Sequence, residues 1–182
     1  MSGSVSVPAG SQTVGPYFRI GLEYLMERTP SLTLDVAGTI EVRGRVLDRD
    51  GAPVPDAMLE FWSPAKVADN AGVFPSGFVR AVTDDDGGYS VVMERPTRVP
   101  PGDERAHAPH TLVLVFARGL LRHLVSRVYF ADEQANEGDP VLMAIPPERR
   151  ATLIAQRDEG RVNLYRWDVI LQGTGETVFF AW

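Results

Sequence analysis

An all-β fold, an antiparallel β-sandwich with one or two short helices and long loops, is what this 182-residue sequence predicts. Three observations carry the prediction. Short apolar runs, alternating or continuous, recur along the chain while helical periodicity is scarce. Seventeen glycines and 14 prolines punctuate those runs with turns. Strands and helices do not alternate regularly, as a parallel α/β sheet would require.

The elements follow in order. Residues 1–10 contain little besides Ser, Gly, Val, Pro and Ala, without period, and read as a flexible arm; residues 11–182 read as a single domain. Phe18–Arg28 reads as a short helix or irregular turn closed by Pro30. Ile40, Val42 and Val46 alternate with Glu41, Arg43 and Arg45, the period of a half-buried strand, and Asp48-Arg49-Asp50-Gly51 turns the chain toward a second strand at Ala57–Trp62. After a Gly/Pro/Asn-containing stretch from Ser63 to Gly77, the runs Phe78–Thr83 and Tyr89–Met93 flank Asp84-Asp85-Asp86-Gly87-Gly88, which predicts a hairpin. That acidic turn lacks the spaced carboxylates and closing glutamate of an EF-hand, so calcium is not expected. Arg95–Pro109 is rich in proline and charge and reads as a long loop. Further strands are expected at Thr111–Phe116, Leu124–Phe130, Tyr165–Leu171 and Thr177–Phe180. Pro146–Gln156 has proline at the first turn, an early acid and good helix formers, and is the best helix candidate.

Composition narrows the function. A chain of this length buries roughly 70% of its unfolded surface, enough for a substantial core. The formal net charge of −6 leaves no basic footprint for phosphates, which argues against a nucleic-acid partner. Without cysteine there is no disulfide, thiolate nucleophile or sulfur-ligated metal. The opening residues lack the pattern of a secretory signal, and the longest apolar stretch, Leu112–Ala117, is far short of a membrane span. A cytoplasmic protein with no membrane contact is the expectation.

Histidines are the residues most worth following. If Ala108–Phe116 is a strand, His110 and Leu112 share a face, whereas His107, three residues earlier, falls on the opposite one. Two imidazoles would not then converge. His110 is expected to be a structural histidine, His107 and His123 to be surface residues, and Tyr129 and Tyr165 to lie in the core or at its rim.

Five stretches resemble the intradiol ring-cleaving dioxygenases. They are Ser11–Tyr17, Gly44–Val46 through Leu59–Trp62, Ala108–His110 through Phe116–Gly119, Arg127–Phe130, and the block Gln172-Gly173-Thr174-Gly175-Glu176-Thr177-Val178-Phe179-Phe180. The resemblance covers nearly everything after the arm. It implies a β-sandwich and a hetero-oligomer of α and β subunits, in which the β subunit carries non-haem Fe(III) held by two tyrosines and two histidines. It also implies a small aromatic diol substrate, protocatechuate or a related substituted catechol, cleaved by O2 next to the diol to give a carboxy-muconate. Phenolate and imidazole ligands suit a ferric ion that a catecholate can enter.

Against that pattern, Leu112 stands where the second metal histidine is expected, and no tyrosine lies between Arg95 and Pro109. The resemblance therefore implies an α-type subunit that binds no metal itself and leaves Fe(III) to its β partner. Its contribution would be a wall of the substrate pocket built from Thr13, Gly15, Pro16, Tyr17 and Arg118. Gly15-Pro16 would give a rigid, low-bulk turn against a flat ring, Tyr17 an amphipathic face, and Arg118 positive potential for an anion. The residues alone also allow an ordinary N-terminal turn and a surface arginine. Two other functions stay open at this point: a self-sufficient dioxygenase using His107, His110 and a distant tyrosine, and a non-enzymatic β-sandwich binding module.

Overall fold

The computed structural model of the chain describes residues 32–34, 36–63, 77–97 and 107–181. Among the described residues nine strands carry the architecture: β1 (Thr39–Leu47), β2 (Met58–Trp62), β3 (Phe78–Val82), β4 (Gly88–Glu94), β5 (His110–Phe116), β6 (Leu124–Phe130), β7 (Ile154–Arg157), β8 (Leu164–Arg166) and β9 (Val169–Ile170). They pair in the order β3-β2-β5-β6-β7-β8-β1-β4, with β9 also on β1. Two halves, β3-β2-β5-β6 and β7-β8-β1-β4, face each other across one core. Its buried residues come from both halves: Val42, Leu59, Phe61, Val91, Val113, Val115, Val128, Phe130, Ala155 and Tyr165 among them. The terminal strands of the path, β3 and β4, lie beside each other, so the sheet is a nearly closed sandwich.

The predicted all-β sandwich is thus the observed fold, and most ladders are antiparallel. Three are not: β1 runs parallel to β8 and β9, and β6 parallel to β7. Strand alternation places the core as expected on β5, where Thr111, Val113 and Val115 are buried and the residues between them are half-buried.

Four local expectations are corrected. The hairpin predicted over Phe78–Met93 keeps its turn, closed by Asp84 N–H to Gly88 O at 2.9 Å and by Asp84 Oδ1, which accepts from Asp86 and Gly88 N–H. No ladder propagates from it, because β3 pairs with β2 and β4 with β1. The helix predicted over Pro146–Gln156 lasts only through Pro147–Arg150 and a 3₁₀ turn at Ala151–Leu153. Its remainder is β7, since Ala155 is fully buried beside Phe130 and tertiary pairing overrides helix propensity there. The run Tyr165–Leu171 is broken into β8 and β9 at Asp168, whose Oδ1 accepts from Arg45 N–H. Thr177–Phe180 is not a ladder strand. It is pinned by separate bonds: Thr177 N–H to Ile170 O, Val178 N–H to Thr152 Oγ1, and Phe180 N–H to Val125 O.

The arm, the segment Phe18–Arg28 and most of the Arg95–Pro109 loop lie outside the described residues. Among the described residues no helix is long and apolar enough to cross a membrane.

One close approach locks β1 to the chain around β8 and β9. Trp167 N–H donates to Arg43 O at 2.8 Å, and Trp167 O accepts from the buried Tyr89 hydroxyl at 2.6 Å. The intervening glycine, Gly44, leaves no room: a Cβ there would sit 1.7 Å from Trp167 O. Replacing it should force backbone apart. Gly44→Ala is expected to cost about 3 kcal/mol, read as a lowered urea or thermal midpoint; an unchanged midpoint would show that the two segments separate freely.

Candidate functional site

Of the described residues singled out by the sequence, His107, His110 and Tyr129 lie at one end of β5 and Arg118 at the other. The strand's seven residues span roughly 20 Å at ~3.3 Å per residue, with His110 at its start and Arg118 just past its end.

At the His110 end, strand pairing sets His110 opposite Tyr129, and their rings stand 5.3 Å apart. His107 also belongs here, with its ring 5.8 Å from that of His110, edge to face. This corrects the expectation that the two histidines diverge. Strand parity does not reach His107, because β5 begins only at His110 and the chain before it is not a strand. His107 is accordingly half-buried rather than a surface residue, while His123 is exposed as expected and packs on Phe116.

Beneath the rings lies Asp139, fully buried. It caps the short helix α1 (Pro140–Ala144), its Oδ1 accepting from Val141 and Leu142 N–H at 2.9 Å each. Oδ1 also accepts from the Tyr129 hydroxyl at 3.2 Å, and Oδ2 accepts from Ala108 N–H at 2.8 Å. The same Oδ2 is 3.4 Å from His107 Nδ1, within ion-pair reach without forming a hydrogen bond. Burial pushes the carboxyl upward, but the donors from Leu142, Ala108, Tyr129 and Val141 outweigh it and hold it below the usual carboxylate range. Sequence reading misses this residue. Its one legible signal is Asp139-Pro140, an N-cap acid followed by proline at the first helical position.

His110 Nδ1 lies 2.7 Å from Ala108 O. A carbonyl only accepts, so the proton sits on Nδ1 and Nε2 keeps its lone pair. Burial, with the charges of Arg127 and His107, lowers the imidazole's pKa against the opposing pull of Ala108 O and Asp139. The Tyr129 phenol is pushed up to about 12, chiefly by burial.

These residues do not fit a ferric ion. His110 offers one nitrogen, Leu112 beside it on the same face offers none, the half-buried His107 adds an imidazole whose ring is 5.8 Å away, the Tyr129 hydroxyl is given to Asp139, and the carboxylate oxygens of Asp139 are engaged by backbone donors. Among the described residues no group of three or more His, Cys, Asp or Glu side chains gathers as a metal site would require. Tyr165 is elsewhere, buried and hydrogen-bonded to Asp132 at 2.9 Å and to Arg95 at 2.5 Å.

At the other end, Arg118 is 52% exposed and lies 3.9 Å from Asp56. It is on the surface, available to a ligand or partner. Thr13, Gly15, Pro16 and Tyr17, the other predicted pocket residues, lie outside the described residues.

A family model described as Dioxygenase matches residues 15–173. The chain belongs to this dioxygenase family. Among its relatives are alpha chains of protocatechuate 3,4-dioxygenase from Burkholderia cepacia and Pseudomonas putida. The first is 44% identical, over 93% of this chain and 95% of the relative; the second is 36% identical, over 93% and 94%. The Burkholderia cepacia beta chain of the same enzyme is 28% identical over 76% of this chain and 66% of its own length. The fold is shared with the dioxygenase domain of a dioxygenase and carbohydrate-binding fusion from Streptomyces sp. SirexAA-E. That structure has a TM-score of 0.60 at 22% identity, covering 92% of this chain and 99% of the domain.

Asp139 generates a clear expectation. Removing its carboxylate leaves three backbone N–H groups and a phenol without their acceptor, so Asp139→Ala should cost about 2–4 kcal/mol of stability. The folded-state carboxyl titrates below its unfolded value. Its stabilisation is therefore complete above the ordinary carboxylate range and lost as pH falls through that range to the depressed folded value. Wild type should unfold in acid over this window, and Asp139→Ala should show a shallower acid limb; equal acid limbs would exclude the residue as the source.

Proposed function

We propose that this chain is the alpha-type, non-metal-binding subunit of a heteromeric protocatechuate 3,4-dioxygenase. In this reading it assembles with a beta-type subunit and contributes a wall of the pocket in which the diol is cleaved by O2. The observation that carries it is Leu112 beside His110, where the resemblance expects a second metal histidine, in a chain 44% identical along nearly its whole length to an alpha chain of that enzyme. The similarity to a beta chain supports a partner of the same ancestry.

Fe(III) belongs to the partner in this reading; when bound there, it activates the chelated diol toward O2. The residues of this chain bind and orient. Arg118, exposed at the end of β5, supplies a permanent cation for an anionic substituent on the ring. In this reading Thr13, Gly15, Pro16 and Tyr17 contribute the wall against the flat face of the diol. The Asp139 cluster has a different task. It fixes the start of β5 and holds Tyr129 beside His110.

Iron analysis of the chain purified alone and after co-purification with a beta-type partner tests the reading. Alone, it should hold no stoichiometric iron and consume no O2 with protocatechuate; the complex should be a coloured ferric protein that does. Stoichiometric iron and turnover in the lone chain would overturn the reading in favour of a self-sufficient enzyme. Within the complex, His110→Ala should leave iron content unchanged, whereas Tyr17→Phe and Arg118→Ala should alter turnover or substrate binding.

A further inference from the structure

The turn before β2 holds an unusual residue. Asp56 adopts φ = 62°, and it is the one non-glycine residue with positive φ among those described. Val54-Pro55-Asp56-Ala57 has proline at its second position, and its third position, in the left-handed region, is normally given to glycine or asparagine. Glycine would occupy this position with less strain, so the carboxylate stands there against a conformational cost.

The turn is held from below. The buried Thr83 hydroxyl sits between the groups that would close it, accepting from Ala57 N–H at 2.9 Å and donating to Val54 O at 2.8 Å. Thr83 N–H also donates to Ala57 O at 2.9 Å. Asp56 is therefore flanked on both sides by backbone that cannot drift.

Register then decides what Asp56 faces. The β2–β5 ladder ends with Met58 opposite Phe116. Two residues beyond on each strand, the same antiparallel register brings Asp56 opposite Arg118, and their charged groups are 3.9 Å apart. That distance is too long for a direct hydrogen bond but close enough for charge attraction. The guanidinium keeps its fork of N–H donors for a second anion, while one side of it is restrained.

We propose that Asp56 is the positioning residue for Arg118. Fixed in a left-handed turn by Thr83, its carboxylate holds the guanidinium at the end of β5, where an anionic substituent of the aromatic diol is recognised. The inference rests on the pocket role of Arg118 given above and adds the device that orients it. A long arginine side chain otherwise samples many rotamers, and restraining it lowers the entropy lost when the ligand arrives.

The test uses the assembled complex with a beta-type partner. It measures KM and kcat for protocatechuate and for catechol, the same diol without the carboxylate. Asp56→Gly keeps the left-handed turn and removes the charge. It should raise KM for protocatechuate about two- to fivefold, the scale of a partly exposed ion pair, with kcat and the KM for catechol unchanged. In an Arg118→Ala background the same change should have no further effect, since the two residues act as a unit. If Arg118→Ala raises KM for protocatechuate and Asp56→Gly does not, the positioning role is wrong while the pocket reading survives. If Arg118→Ala leaves KM unchanged, the pocket role of Arg118 fails and the inference falls with it. Equal shifts for both diols would mean a purely structural residue and overturn the proposal. Should Asp56→Gly fail to assemble, Asp56→Asn, which also tolerates positive φ, is judged by the same criteria.

Discussion

The burial of one ionised carboxylate organises the half of the molecule that would be expected to do chemistry. Asp139 is shut away from bulk water, so its charge survives only because protein donors take the solvent's place. Those donors come from three separate segments: the residue that leads into β5, the first turn of α1, and the hydroxyl of Tyr129 on β6. Tying them to one point sets where β5 begins and hence where His110 stands. The apolar cluster of Ala108, Tyr129, Leu142, Ile145, Leu153 and Val178 then packs around the same point. Polar satisfaction and apolar packing reinforce each other there.

That arrangement shows how a fold shared with dioxygenases can carry a histidine on this strand whose described neighbours are held in structural bonds. An imidazole becomes a ligand only in company. Here its Nδ1 is fixed on a carbonyl, its strand neighbour on that face is aliphatic, and the nearby phenol donates its proton to Asp139. At the far end of β5, by contrast, Arg118 meets Asp56 on the exposed surface.

Much of this is legible in the order of the amino acids alone, and the failures have physical causes. Alternation along β1 and β5 locates the core because a half-buried strand has few other ways to place its apolar residues. Even so, Glu41 on β1 is buried against that pattern, stabilised by Arg43 and by the Ser90 hydroxyl at 2.7 Å. The strand at Ile154–Arg157 hides behind good helix formers, since propensity is local and its partners Tyr129 and Phe130 are distant along the chain. Strand parity misplaces His107 because that residue precedes the strand. Asp139 reads as a loop acid, and nothing in its neighbourhood announces that Ala108, far upstream, donates to it. The meeting of Asp56 and Arg118 likewise depends on the register of two strands, which a single sequence does not give.

The nearly closed path of strands also governs how the molecule can associate. With its first and last members side by side, the sandwich presents little bare backbone on which a foreign chain could extend the hydrogen-bonded ribbon. Chains built this way meet others through side chains and loops, where shape and charge discriminate between companions.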